Sequence, residues 1–141
     1  MSDFGNATPE DRVCLTRAVI SLLEGWGVEP REAAIILGLP EDTTMHNMRC
    51  YRSNTPFPDC PEVLERVEHL IGIADALRTM FPRSAQMGPL WMHRRNRHFR
   101  RRTPVDLMVE DGLNGVIAVR THLDCSFAWA VSGSTARPSC A

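Results

Sequence analysis

The sequence predicts an all-α fold, a helix-turn-helix subdomain followed by a small helical domain, and three observations carry that reading. Apolar residues recur at three- and four-residue spacing over long stretches, and Thr-Pro pairs at Thr8-Pro9 and Thr103-Pro104 mark helix starts. No segment sustains the two-residue alternation rich in β-branched side chains that strands need.

Residues 1–7 are small and polar. Thr8 then caps a helix with Pro9 at its first position and Glu10 and Asp11 in the first turn. Leu15, Ala18, Val19, Leu22, Leu23 and Trp26 give it one core face, and Gly25 and Gly27 end it. Pro30 opens a short helix through Leu37, Gly38-Leu39-Pro40 makes a turn, and Glu41 to Arg52 is expected to form a third helix. Two short helices joined by a tight glycine turn form a helix-turn-helix pattern, in which Met45 and Met48 seat the third helix. Thr43, Thr44, His46, Asn47, Arg49 and Arg52 are its polar residues available to a DNA groove.

Pro56, Pro58 and Pro61 mark a turn or linker, after which the longest helix is expected from Pro61 to Phe81. Its apolar stripe is Val63, Val67, Leu70, Ile71, Ala74, Leu77 and Phe81. Pro82 ends it, and Gln86 to Arg95 offers another short helix carrying Leu90, Trp91 and Met92. Six arginines follow, at 94, 95, 97, 100, 101 and 102, framed by Trp91 and Phe99. Thr103 and Pro104 start a helix that Gly112 stops, Gly112-Leu113-Asn114-Gly115 reads as a turn, and Val116 to Leu123 reads as a last short helix. Beyond it, the Ser and Gly residues around Phe127, Trp129 and Val131 favour a flexible extension. Its aromatics are expected to dock on this chain's core or on a partner. The resulting division is 1–60, 61–124 and a tail at 125–141.

With 141 residues the chain can bury one modest core, or two small subdomains. All 16 basic residues are Arg. Residues 1–82 hold 7 Arg against 13 acidic residues, and residues 83–141 hold 9 Arg against 4, so an acidic half precedes a basic one. That asymmetry points the basic half towards nucleic acid or an acidic protein, or towards packing in an oligomer, while acidity in the first half opposes phosphate binding. A dimer would double the contribution of Arg49 and Arg52. Cysteines at 14, 50, 60, 125 and 140 are odd in number and irregularly spaced, which reads as reduced thiols rather than a disulfide framework. His46, Cys50, Cys60 and His69 lack the paired close spacing of zinc ligands, so no metal is expected. No apolar run of about eighteen residues and no charged-then-apolar leader is present, which gives the expectation of a cytoplasmic chain with no membrane partner. A phosphate loop, a nucleophile motif and a convincing ligand pair are all missing from the sequence, so catalysis is not expected.

The spacing of Trp91, Asn96, Phe99 and Thr103-Pro104-Val105-Asp106-Leu107-Met108, followed by Gly112, Gly115, Val119-Arg120 and Leu123-Asp124, resembles the C-terminal toxin-binding domain of the Xre/MbcA/ParS antitoxin family. The resemblance covers about residues 62–124, and the helix-turn-helix at 30–52 fits the family's N-terminal, Xre-like part. It implies an antitoxin of a type II toxin-antitoxin pair whose partner is a RES-domain toxin, an enzyme that consumes NAD or transfers ADP-ribose from it. Such antitoxins neutralise by direct contact, with the C-terminal region reaching into or over the NAD cleft; this chain is then expected to form a homodimer or a hetero-oligomer with its toxin and to repress its own operon as a complex. The chain would itself be no enzyme and hold no cofactor. Among the matching positions Trp91 and Phe99 are core candidates and Thr103 a cap. The contact surface is expected at Arg94, Arg95, Asn96, Arg97, Arg100 and Arg101, with the tail residues Phe127, Trp129, Arg137 and Ala141. One departure stands out: the family often has a small residue before the Thr-Pro pair, where this chain has Arg100-Arg101-Arg102. The alternative reading is a stand-alone helix-turn-helix transcriptional regulator. For the arginine run alone, the alternatives are a solvated turn or a phosphate-binding patch.

Overall fold

The computed structural model describes residues 8–84 and 86–132, the last seven of these by backbone alone. Within them lie seven α-helices: α1 (Pro9–Gly25), α2 (Pro30–Leu37), α3 (Met45–Ser53), α4 (Pro61–Met80), α5 (Met87–Met92), α6 (Pro104–Asp111) and α7 (Leu113–Ser132). No strand occurs among the described residues, and the fold is all-α. The chain divides into two compact units, Met1–Glu68 and His69–Ala141, at a point inside α4.

In the first unit α1 starts as its sequence requires. The Thr8 hydroxyl accepts the Asp11 N–H at 3.1 Å, the Asp11 carboxylate accepts the Thr8 N–H at 3.3 Å, and Pro9 fills the first helical position. The buried face is Thr16, Val19, Ile20 and Leu23, so the stripe is rotated from the expected one and Ala18 is exposed. Thr16 is the reason the proline-rich segment is pinned rather than loose. Its buried hydroxyl donates to the Arg12 carbonyl and accepts the Phe57 N–H, each at 2.9 Å, while Arg12 donates to the Phe57 carbonyl at 3.2 Å and the Phe57 ring is buried.

Helices α1, α2 and α3 pack on one another. Helix α3 begins at Met45 instead of Glu41, because Thr44 is extended and forms a reciprocal cap with Asn47. A hydroxyl can accept from the helix's third N–H only when its own residue stands outside the helix, which fixes the start at this point.

In the second unit α6 opens on the Thr103 hydroxyl, which accepts the Asp106 N–H at 3.0 Å, with Pro104 first in the helix. Val105, Leu107 and Met108 face inward against Val116, Val119 and Leu123 of α7. The expected Gly112 to Gly115 turn is corrected: Gly112, at φ 60, is the whole connection, and Gly115 lies inside α7. A Cβ on Gly115 would come within 2.8 Å of the Leu107 carbonyl carbon and 3.1 Å of the Met108 Cα, so the missing side chain is what lets the two helices cross.

Helix α7 also runs on to Ser132, past the expected end at Leu123. Extending a formed helix adds a hydrogen bond for each residue fixed, and Ala128 and Ala130 favour it, so the flexible extension expected from about residue 125 is helical backbone as far as residue 132. Near its middle, Arg120 donates to Nδ1 of His69 at 3.1 Å and lies across Gly72 of α4, where a Cβ would be 2.6 Å from the guanidinium carbon. Cys14, Cys50 and Cys60 are free thiols, whereas Cys125 is disulfide-bonded, which corrects the expectation of five reduced thiols.

Candidate functional site

The arginine run folds into a closed loop between α5 and α6. Asn96 and Arg102 form an antiparallel bridge, with the Asn96 N–H donating to the Arg102 carbonyl at 3.1 Å. The Asn96 carbonyl accepts from Phe99 and Arg101, each at 3.0 Å, and its side-chain oxygen accepts the His98 N–H at 2.9 Å, capping a 3-10 turn at Arg97–Phe99. Phe99 is buried and anchors the loop. Every residue type in this stretch thereby has a place: the amide side chain holds the turn and the ring holds the loop to the domain.

The arginines then separate. Arg102 turns back, pairing with Glu110 at 3.1 Å and with Asp111 at 3.2 Å, and these carboxylates raise its already high pKa. Arg94, Arg95, Arg97, Arg100 and Arg101 are exposed and make no ion pair among the described residues. Arg100 and Arg101 sit at φ 57 and φ 64, two successive left-handed residues that both carry side chains. Such a conformation costs a side-chain-bearing residue about 1–2 kcal/mol. Glycine would relieve it, so the loop tip holds two guanidinium groups at the expense of backbone comfort.

Beside the tip is a shallow pocket of about 390 Å³ lined by His98, Phe99, Arg100, Arg102, Leu107, Asp111, Ala118, Thr121 and His122. The imidazoles of His98 and His122 stack with centroids 4.5 Å apart, Phe99 meets both edge-on, and Trp91 stacks on His122 at 6.4 Å. Burial, and then the neighbouring His98, push the His122 pKa below its ordinary value. Its Nδ1 is buried and has no hydrogen-bond partner among the described residues. Neither histidine is singled out by the sequence; the available signal is that His122 stands three residues after Val119 and beside Leu123, at helical spacing along the apolar stripe of α7.

Of the other expected contact residues, Asn96 is half-buried and its side chain is engaged within the loop. Phe127 and Trp129 lie on α7 with side chains outside the described residues, and Arg137 and Ala141 lie outside them altogether. In the first unit, Thr44 and Asn47 are committed to the α3 cap, and Arg52 pairs with Glu24 at 3.4 Å. His46 meets the Cys50 sulfur at 3.6 Å, Thr43 is half-buried, and Arg49 is exposed beside a groove of about 240 Å³ lined by Ile20, Leu23, Val28, Met45 and Met48.

The second unit thus presents a loop of five arginines that are exposed and make no ion pair among the described residues, and part of it is similar to a known family. Residues 76–124 match the family model of the antitoxin Xre/MbcA/ParS C-terminal toxin-binding domain, and the loop and its pocket both fall within the matched stretch. The match supports an antitoxin of a type II system with a toxin as its partner. No curated protein and no solved structure matches the chain. Among the described residues, no helix is long and apolar enough to cross a membrane.

Proposed function

We propose that this chain neutralises a RES-domain toxin, one that degrades NAD or transfers ADP-ribose, by binding over its active site. The observation that carries the reading is the loop tip: inside the matched domain, Arg97, Arg100 and Arg101 are exposed and unpaired among the described residues, two of them in a backbone conformation that glycine would adopt at lower cost. Guanidinium groups presented in this way match carboxylates on a partner, and Arg is among the side chains that dominate interfaces. Arg94 and Arg95 are exposed just before the loop and join the proposed contact, which the tail from Phe127 to Ala141 extends. On this reading the chain acts in the cytoplasm as a hetero-oligomer with its toxin. Co-expression with a RES-domain protein encoded beside it tests the proposal: growth is restored and the two proteins copurify. Continued toxicity, or separation of the two on purification, overturns it.

A second reading concerns the first unit. We infer that α2, the Gly38 turn and α3 form a helix-turn-helix that represses the operon as part of the complex. It is favoured by the exposed Arg49 and His46 on α3, whereas the side chains of Thr44 and Asn47 are spent on the cap. A regulator acting alone predicts salt-sensitive binding of operator DNA by the isolated chain; binding only with toxin present assigns the repression to the complex.

A further inference from the structure

We propose that the pocket between His98, Arg100 and His122 seats one acidic side chain, Asp or Glu, of the toxin, and that this contact takes up a proton. The inference rests on the toxin-binding reading and gives it a specific anchor.

Three features of the pocket lead there. Phe99, Leu107 and Ala118 make part of its lining apolar, so a charge seated against them loses part of its water and gains from a partner. The partner on offer is cationic: Arg100 stands at the rim without an ion pair among the described residues, and Arg97 and Arg101 extend the positive field around it. Among the other polar groups of the lining, which include His98 and Thr121, the imidazole of His122 has a buried Nδ1 with no partner among the described residues. Arg100 offers a carboxylate the paired N–H groups that it accepts bidentately, and the match of this stretch to a toxin-binding domain makes a protein side chain the occupant. Asp111 also lines the pocket, but its carboxylate is paired with Arg102 and leaves Arg100 available.

The charged and titratable groups that face His122 are His98, Arg100 and Arg102 from the loop and Asp111 from α6, with Trp91 of α5 stacked on the ring. Without a ligand this setting favours a neutral imidazole: the ring is partly buried, and a proton on it would confront the stacked His98. A carboxylate placed against Arg100 reverses the balance by stabilising the imidazolium. The complex therefore binds more protons than its separated parts, and affinity rises as pH falls through the imidazole range.

Isothermal titration of the full chain with the purified RES-domain protein, at about pH 6 and about pH 8 and in two buffers of different ionisation heat, measures the proton directly. Net uptake and tighter binding at the lower pH are expected. His122→Phe keeps a ring in the stack and should abolish the uptake while weakening binding about tenfold at the lower pH. His98→Gln, on an exposed residue that does not endanger folding, should reduce the uptake. Tight binding with no proton uptake, or uptake unchanged in both variants, overturns the proposal and leaves toxin binding standing. No binding at either pH overturns both.

Discussion

The Leu107 carbonyl occupies the space where a side chain on Gly115 would begin. Helix α7 crosses the end of α6 so closely that an added Cβ would lie 2.8 Å from the Leu107 carbonyl carbon, and backbone atoms cannot swing aside as a side chain can. Gly115→Ala is therefore expected to force the helices apart, although alanine favours helix. The cost should be about 3 kcal/mol, at the upper end for overpacking, and a thermal melt followed by circular dichroism reads it. An unchanged or raised Tm would show that the crossing relaxes freely.

That contact also explains what the sequence could and could not disclose. Thr8-Pro9 and Thr103-Pro104 announce helices α1 and α6 because a cap and its helix are neighbours in the chain, and the local chemistry is sufficient. Gly115 reads as a turn because glycine is demanded equally by turns and by close helix crossings, and the Leu107 carbonyl that decides between them belongs to a different helix. The arginine run was legible as a charged surface. Its division was not, because Arg101 and Arg102 are identical in type and adjacent, and only the closure of the loop on Asn96 turns one outward and the other towards Glu110 and Asp111. The His98 and His122 stack depends on the packing of the loop against α7, which no local pattern encodes.

A buried hydroxyl holds the proline-rich segment to α1. Thr16→Val preserves shape but leaves the Phe57 N–H without its acceptor in a buried setting. A loss of about 2 kcal/mol is expected, within the range for an unsatisfied buried donor. Thr16→Ser, which retains the hydroxyl, should recover most of it, and urea unfolding midpoints of the two variants make the comparison.

Stability and binding are expected to move in opposite directions at the loop tip. Arg100→Gly and Arg101→Gly each remove a side chain from a left-handed backbone, at φ 57 and φ 64, and neither residue makes an ion pair among the described residues. Each substitution should stabilise the fold, by up to about 1 kcal/mol after the entropy that glycine adds to the unfolded chain. Both should weaken toxin binding. Arg102→Gly behaves differently: it removes the pairs with Glu110 and Asp111 and is expected to lower stability. Tm and toxin affinity measured on the same three variants decide the matter, and equal behaviour of all three would refute the division of labour.

The last expectation concerns acid stability and follows from the histidine stack. His122 has a folded-state pKa below its ordinary value of 6.5, first because burial disfavours the imidazolium and then because His98 lies beside it. The unfolded chain therefore takes up a proton at a pH where the folded chain still resists it. Below about 6.5 the unfolded state binds more protons, so stability falls with decreasing pH until the folded imidazole also titrates, and at higher pH the difference vanishes. Urea midpoints recorded from about pH 8 down to about pH 5 should show this decline through the imidazole range. The decline should be shallower in His122→Phe, where a ring remains and the proton does not. Parallel curves for the two proteins would mean that other groups carry the acid response, while a wild type that grows more stable towards pH 5 would reverse the assigned direction of the His122 shift.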